Sequence, residues 1–231
     1  MPKQRRLALL GRRRGSDPPI RLELTDRDRD YLGAVSSKVR TFTLEQMART
    51  WWPAARTGRA LAHARLTTLA EEGLLLLERR PVAEIPVLAP ETVWELEMLP
   101  PDFGALSYRL QKRWNQHPVM TTLVSASKTC ANMFSGHGGR VSRDSECRHD
   151  VHLSEVYLLY RRLHPALLPF WIFEERLRQE RGARCQEMLP DVLIRSTTVT
   201  RAVEFGGAYS KSKLEAFHAY CVEKTLPYEI W

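Results

Sequence analysis

The sequence predicts a mixed α+β fold, and two observations carry that prediction. Apolar residues recur at helical spacing through the first third of the chain, between residues 26 and 72. Short apolar runs bounded by turn residues, which are typical of strands, dominate the last third, between residues 170 and 231. Hydrophobic residues make up 43% and charged residues 27% of the 231 residues, as in folded globular proteins. The chain is long enough for two compact units.

The net charge of +8 is unevenly distributed along the chain. Residues 1–19 contribute +5 and residues 20–80 contribute +3, whereas residues 81–231 sum to zero. We expect residues 1–19 to form a basic arm without fixed structure. A polyanion is attracted to such a segment because neutralised phosphates release condensed counterions. The arm residues expected to contact DNA are Arg5, Arg6, Arg12, Arg13 and Arg14.

Residues 20–100 are predicted to form the first folded domain. Its three helices are expected over residues 26–36, 43–53 and 54–72, followed by a strand over 74–77. Thr25 is a suitable N-cap for the first helix, and Thr43 with Gln46 forms a capping box for the second. Gly73 ends the third helix. Two helices, a longer helix, a strand and a basic loop follow one another in a winged helix-turn-helix, so that fold is predicted here.

Polar and basic side chains form one stripe along the third helix, away from its apolar face. In a winged helix this stripe enters the major groove, where basic side chains reach guanine edges or phosphates. Double-stranded DNA is therefore the predicted partner, and the alternative is a winged helix used only for dimerisation or protein contact. The stripe consists of Arg56, Arg59, His63 and Thr67, and the wing loop adds Arg79 and Arg80.

Residues 101–231 are predicted to form a second domain. A helix over 101–114, a strand over 120–124 and a short helix over 127–134 open it. The remaining elements follow an αβββαβ order: a helix over 150–162, strands over 170–173, 191–195 and 201–205, a helix over 211–223 and a strand over 228–231.

Two carboxylates lie at the ends of predicted neighbouring strands, in the segments Pro190-Asp191 and Glu204-Phe205-Gly206. With the αβββαβ order, this layout resembles the PD-(D/E)XK nuclease fold. The resemblance implies that Asp191 and Glu204 hold Mg²⁺ or Mn²⁺, since hard cations prefer oxygen ligands. Such a metal polarises the phosphoryl group and helps to generate hydroxide.

The nuclease motif is incomplete, because Gly206 stands where an active member has lysine. Lys211 and Lys213, at the start of the next helix, are candidates for a displaced lysine. Glu155, on the preceding helix, is a candidate third metal ligand. An inactive nuclease-like domain is slightly favoured over an active one.

Other classes of protein are not favoured. The longest apolar runs are far shorter than the roughly 20 residues that cross a bilayer, and no secretory signal is evident, so a cytoplasmic protein without a membrane partner is predicted. The four cysteines include no CxxC pair, which argues against a zinc ribbon or a disulfide scaffold. The glycine-rich segment 136–140 lacks the ending of a phosphate-binding loop.

From residue 22 onward the chain resembles the replication-relaxation family of bacterial plasmids and mobile elements. The segments that carry the resemblance are residues 24–28, 65–75, 189–191, 204–209 and 213–215. It implies DNA binding in replication, relaxation or mobilisation, with replication or mobilisation proteins as partners.

Three functions therefore remain open: a DNA-binding protein of a mobile element, a metal-dependent endonuclease or nickase, and a regulator or antitoxin-like interaction protein. A homodimer is the default expectation, because many winged helices bind palindromes as dimers.

Overall fold

The computed structural model describes residues 22–53, 56–83, 89–114, 116–182 and 188–231, and the fold is α+β. The arm residues expected to contact DNA lie outside the described residues. The helices are α1 (Asp26–Ser37), α2 (Leu44–Trp51), α3 (Gly58–Glu71), α4 (Phe103–Arg113), α5 (Lys128–Met133), α6 (Asp144–Leu163), α7 (Glu174–Arg181) and α8 (Lys211–Glu223). The strands are β1 (Thr41–Thr43), β2 (Leu75–Val82), β3 (Thr92–Trp94), β4 (Val119–Ala126), β5 (Trp171–Phe173), β6 (Val192–Arg195), β7 (Thr200–Glu204) and β8 (Tyr228–Ile230). A 3₁₀ helix covers Pro165–Phe170.

Side-chain caps define the starts of the first two helices, as the sequence predicts. The Thr43 hydroxyl accepts from the Gln46 N–H at 3.1 Å, and the Gln46 side chain accepts from the Thr43 N–H at 2.8 Å. Thr25 forms the equivalent box with Asp28 at the start of α1. Gly73, at φ 77°, follows α3 in the left-handed region that glycine adopts most easily.

The first sheet is antiparallel, with strand order β1-β4-β2. Its central strand β4 was expected in the second domain, so the strand pairing crosses the boundary predicted at residue 100. The connection between β2 and β4 leaves this sheet and contributes β3 and α4 elsewhere. Arg79 and Arg80 were predicted to lie in a loop, which is wrong, because β2 continues through both to Val82.

The second sheet has strand order β3-β8-β7-β6-β5. Strands β5, β6 and β7 form an antiparallel meander. Strand β7 pairs with β8 in parallel, and the crossover helix α8 connects the two strands. The order predicted for residues 150–231 is thus observed, with α7 inserted between β5 and β6. The inserted helix has one buried residue, Leu177, so it carries little apolar pattern from which to predict it.

Helix α6 lies between the two sheets and joins them into one core. One cluster of buried residues includes Phe42 and Val124 from the first sheet, Tyr157 from α6, and Trp171 and Val203 from the second sheet. α6 is the longest described helix, at 20 residues. No helix among the described residues combines the length and apolar character needed to cross a membrane.

Candidate functional site

Two carboxylates meet at one edge of the second sheet. Asp191 immediately precedes β6, and Glu204 is the last residue of β7. The strands are antiparallel and Val192 pairs with Val203, so the start of one lies beside the end of the other. The backbone N–H of Asp191 donates to Glu204 Oε2 at 3.0 Å, and the N–H of Phe205 donates to Asp191 Oδ2 at 2.8 Å.

The Glu204 carboxyl group is enclosed, with only 6% of the residue exposed. Its second oxygen, Oε1, accepts from the Tyr209 hydroxyl at 2.7 Å. Burial, together with the nearby charge of Asp191, raises the pKa of Glu204 despite these donors. Glu204 therefore binds a proton more readily than an exposed glutamate does.

A histidine from α6 completes the carboxylate cluster. His149 Nε2 lies 2.9 Å from Asp191 Oδ2, and Nδ1 lies 3.8 Å from Asp150 Oδ1. Burial by itself would lower the pKa of His149, but its contacts with the two aspartates outweigh burial and raise it. The site therefore favours an imidazolium cation between two carboxylates.

A second cation reaches the cluster from the first sheet. Arg40 lies just before β1, and its Nη1 is 3.2 Å from Glu146 Oε2 and 3.3 Å from Asp150 Oδ2. Its Nη2 contacts Glu175 on α7. Arg40 thus neutralises acidic side chains from two helices of the other half of the molecule.

These groups, apart from the buried Glu204, form the floor of a cleft of about 760 Å³. Aromatic rings of Trp114 and Tyr209 line it. Basic side chains from three separate segments also line it: Arg140 and Arg143 before α6, Arg178 on α7, and Lys213 on α8. The cleft therefore combines an internally neutralised acidic floor with basic and aromatic walls.

Of the two lysines predicted near the site, only Lys213 lines the cleft. Its Nζ lies 3.4 Å from the centroid of the Tyr209 ring. Lys211 instead forms an exposed pair with Glu215 at 3.7 Å. The two residues are two positions apart on α8, so they point to different sides of the helix.

Glu155 is not at the site, which corrects its expected role as a third ligand. Its Oε2 accepts from the Gln46 side-chain amide at 3.0 Å and also contacts Arg49. Both partners are on α2, so Glu155 holds α6 against the N-terminal half. It lies six residues, nearly two turns, along α6 from His149, beyond the reach of the carboxylates.

Packing restricts position 206, where the nuclease resemblance predicts a lysine in active members. A Cβ atom at Gly206 would lie 2.8 Å from both δ-methyl carbons of Leu110 and 3.0 Å from Ile230 Cγ2. Helix α4 fills the space beside this position, and its Arg113 donates to the Gly206 carbonyl at 2.8 Å. A side chain at this position would have to displace the buried Leu110.

Asp191 and Glu204 have the oxygen chemistry that Mg²⁺ and Mn²⁺ prefer, and they are the residues that would hold such an ion. In the structure these oxygens accept the protein hydrogen bonds described above. Among the described residues, no three His, Cys, Asp or Glu side chains are grouped so as to hold a metal ion.

The stripe expected to contact DNA is largely on the surface. Arg56, in the turn before α3, and Arg59 and His63, on α3, are exposed, whereas Thr67 is half-buried. Arg59 contacts Glu45 on α2, and both side chains are largely exposed, at 66% and 49%. The stripe is therefore accessible to a ligand.

The two arginines expected at the wing, Arg79 and Arg80, differ in exposure and in ion pairing. Arg79 is exposed on β2. Arg80 is 30% exposed and is paired with Glu78 at 2.5 Å and with Asp144 at 2.6 Å. Arg79 is consequently the better candidate for a phosphate contact.

Sequence reasoning missed His149, Tyr209 and Arg40 as members of the site. His149 and Asp150 are adjacent in the sequence, but no spacing links them to Asp191. Arg40 is 110 residues from Asp150 in sequence, and only the packing of β1 against α6 brings them together.

Comparisons with protein-family models, with curated proteins and with solved structures found no match to the chain. The resemblance to the replication-relaxation family stays a prediction from the sequence. The function has to be inferred from the positions of the side chains in the molecule.

Proposed function

We propose that this protein binds double-stranded DNA through α3 and the adjoining strand pair β2–β4, as a component of a plasmid or mobile element. The observation that carries the DNA-binding proposal is the exposed stripe of Arg56, Arg59 and His63 on and beside α3. Replication, relaxation or mobilisation is the process proposed from the sequence resemblance.

The arrangement of the N-terminal elements supports this role. The elements α1-β1-α2-α3-β2-β4 and their three-stranded antiparallel sheet resemble a winged helix, with β3 and α4 inserted between β2 and β4. α3 buries Ala62, Leu66 and Leu69, so the opposite side with Arg59 and His63 is turned away from the core. A helix presented in this way can enter a major groove, with Arg79 beside the backbone.

Binding of a labelled duplex, followed by fluorescence anisotropy over a range of salt concentrations, tests the proposal. Arg59→Ala and Arg79→Ala should each weaken binding and reduce the salt slope by about one unit, as expected for the loss of one phosphate contact. Deletion of residues 1–14 should reduce the slope further. Arg195→Gln is the matched control, because it removes one positive charge at the far end of β6. Unchanged affinity in the first three variants would refute the proposal.

The Arg59–Glu45 pair allows a second check on the same surface. Glu45→Gln frees Arg59 from its protein partner and removes a negative charge from the proposed interface. Duplex affinity should therefore rise, and Arg59→Ala should then cost more in the Glu45→Gln background than in the wild type. A fall in the duplex affinity of Glu45→Gln would indicate that DNA binds at a surface other than that of Arg59.

A metal-dependent endonuclease is the second candidate, favoured by the convergence of Asp191 and Glu204 at one sheet edge. Supercoiled plasmid, incubated with Mg²⁺ or Mn²⁺ and the wild type or an Asp191→Asn/Glu204→Gln variant, separates the two functions. A gel shift without nicking in both proteins supports binding alone. Nicking that the double substitution abolishes would establish the endonuclease.

A further inference from the structure

We propose that the cleft beside Asp191 binds an unpaired, single-stranded stretch of nucleic acid. Trp114 and Tyr209 would stack on bases, and the basic wall residues would contact phosphates. This inference rests on the proposed function only in taking nucleic acid as the partner, since it concerns a different surface from α3. The phosphate contacts are assigned to Arg140, Arg143, Arg178 and Lys213.

Two cations of the cleft, Arg143 and Arg178, are accessible to a ligand. Arg143 and Arg178 are 74% and 63% exposed, and their partners are the glutamates Glu146 and Glu174. Glu146 and Glu174 are less exposed, at 30% and 25%, but an ion pair with an exposed arginine is weak, so a phosphate can replace the glutamate without a large loss. Arginine also binds phosphate with two parallel hydrogen bonds, which a point charge cannot do.

The acidic floor of the cleft repels phosphates less than its number of carboxylates suggests. Arg40 lies among Glu146, Asp150 and Glu175, and His149 bridges Asp191 and Asp150. These contacts neutralise much of the carboxylate charge inside the protein.

The aromatic side chains favour unpaired bases over a duplex. Bases stack on aromatic rings only when they are free of a paired duplex, and such stacking tolerates any sequence. The Arg148 guanidinium covers one face of Trp114, 4.1 Å from the ring centroid, and Lys213 covers one face of Tyr209, so a base would stack on the opposite face of each ring. Rings combined with cations in a groove are the combination found in proteins that bind single strands.

The dimensions of the cleft agree with this ligand. A volume of about 760 Å³ is in the range of small-ligand sites and is too small for a DNA duplex. A second cavity of about 360 Å³ shares Arg40, Arg140, Phe173 and Glu175 with it and extends to Lys128. Adjoining cavities suit a chain-like ligand better than a single compact molecule.

Two labelled probes test the inference against the full-length protein: an oligothymidine of about 12 nucleotides, within the 4–16 nucleotides typical of such sites, and a duplex of the same length. Arg143→Gln/Arg178→Gln should weaken oligothymidine binding about tenfold and leave duplex binding unchanged. Arg59→Ala/Arg79→Ala should do the opposite. Arg195→Gln should change neither affinity.

Trp114→Leu should weaken oligothymidine binding by at least about fivefold, the lower end of one lost base-stacking contact. Because Trp114 also packs against Phe205, thermal melting must show that the Trp114→Leu variant is folded. If this variant unfolds, the Arg143→Gln/Arg178→Gln variant still tests the inference, since both arginines are exposed.

The outcomes separate the two proposals. Duplex binding without oligothymidine binding overturns the single-strand inference and leaves the proposed function standing. Oligothymidine binding that depends on Arg143 and Arg178, without duplex binding, supports the single-strand inference and overturns the proposed duplex binding. Equal losses for both probes in the Arg143→Gln/Arg178→Gln variant would indicate one shared surface and overturn the inference.

Discussion

Leu110 occupies the space into which a side chain at Gly206 would project, with both of its δ-methyl carbons 2.8 Å from the Cβ position. Leu110 is fully buried on α4, which belongs to the connection between β2 and β4. The space beside Gly206 is therefore filled by an element inserted from another part of the chain. This contact explains why glycine, the residue without a Cβ, stands there.

Restoring a side chain at position 206 should destabilise the protein and should not create a nuclease. We expect Gly206→Ala to lower the free energy of unfolding by about 1–3 kcal/mol, the usual cost of overpacking. Gly206→Lys should cost more and produce no metal-dependent nicking of plasmid. Urea denaturation measures the stability, and Gly206→Ala/Leu110→Ala is the control, since the smaller residue should relieve the clash and make the two effects non-additive. A fully stable Gly206→Lys protein would contradict this account.

Two arginines of α3 should differ in what they do for stability. Arg65 donates from Nε at 3.1 Å and from Nη2 at 2.5 Å to Asp28, which is only 1% exposed. Arg65→Met should cost about 3 kcal/mol of unfolding free energy, because the buried Asp28 carboxylate loses its cationic partner and keeps the neutral donors Thr25 and Tyr31.

Arg59→Met is the matched control, since Arg59 is paired on the surface and should contribute less than about 1 kcal/mol. Chemical denaturation of both variants checks the difference. Asp28→Asn added to Arg65→Met should recover part of the loss. Equal effects of the two arginine substitutions would contradict the structural role of Arg65.

Glu155 should contribute to stability rather than to metal binding. Glu155→Ala removes an acceptor from the Gln46 amide, which is buried and also donates to the Val151 carbonyl at 2.9 Å. We expect a loss of about 1–2 kcal/mol in unfolding free energy and no change in any metal dependence of DNA binding or nicking. Glu215→Ala, which removes an exposed glutamate of α8, should cost less than about 0.5 kcal/mol. A specific loss of metal dependence in Glu155→Ala would restore the ligand hypothesis.

His152 should make stability fall in mild acid. It is 3% exposed and stacks on Phe205, with ring centroids 5.2 Å apart. Burial, aided by the positive charges of Arg148, Arg113 and His149, lowers the pKa of His152 to about 4 from an ordinary value of 6.5. In the unfolded chain, His152 is therefore protonated below pH 6.5, whereas in the folded protein it is protonated only below about pH 4.

As the pH falls from 6.5 to 4, this difference in protonation of His152 lowers the unfolding free energy by about 3 kcal/mol. His152→Phe keeps an aromatic ring beside Phe205 but cannot titrate, so as the pH falls from 6.5 to 4 this variant should lose less unfolding free energy than the wild type. Urea midpoints at several pH values measure both slopes. Parallel curves for the two proteins would show that His152 is not the group responsible.

Some elements were predictable because their signals are local. The capping box of Thr43 and Gln46, the apolar face of α3 and the runs at β6 and β7 each depend on residues a few positions apart. The three-residue strands β1 and β3 were missed, because their hydrogen bonds come from β4 and β8, which are far away in the chain. Helix α7 was missed because its surface is almost entirely charged.

The sequence by itself determined the α+β class, most of the helices, and the positions of Asp191 and Glu204 at the ends of neighbouring strands, since these follow from local periodicity and turn chemistry. Only the tertiary structure decided which charges meet. It brought His149 to Asp191, placed Arg40 among Glu146, Asp150 and Glu175, and turned Glu155 toward α2. The physical reason is that burial and pairing depend on contacts between distant segments, and local patterns contain no record of those contacts.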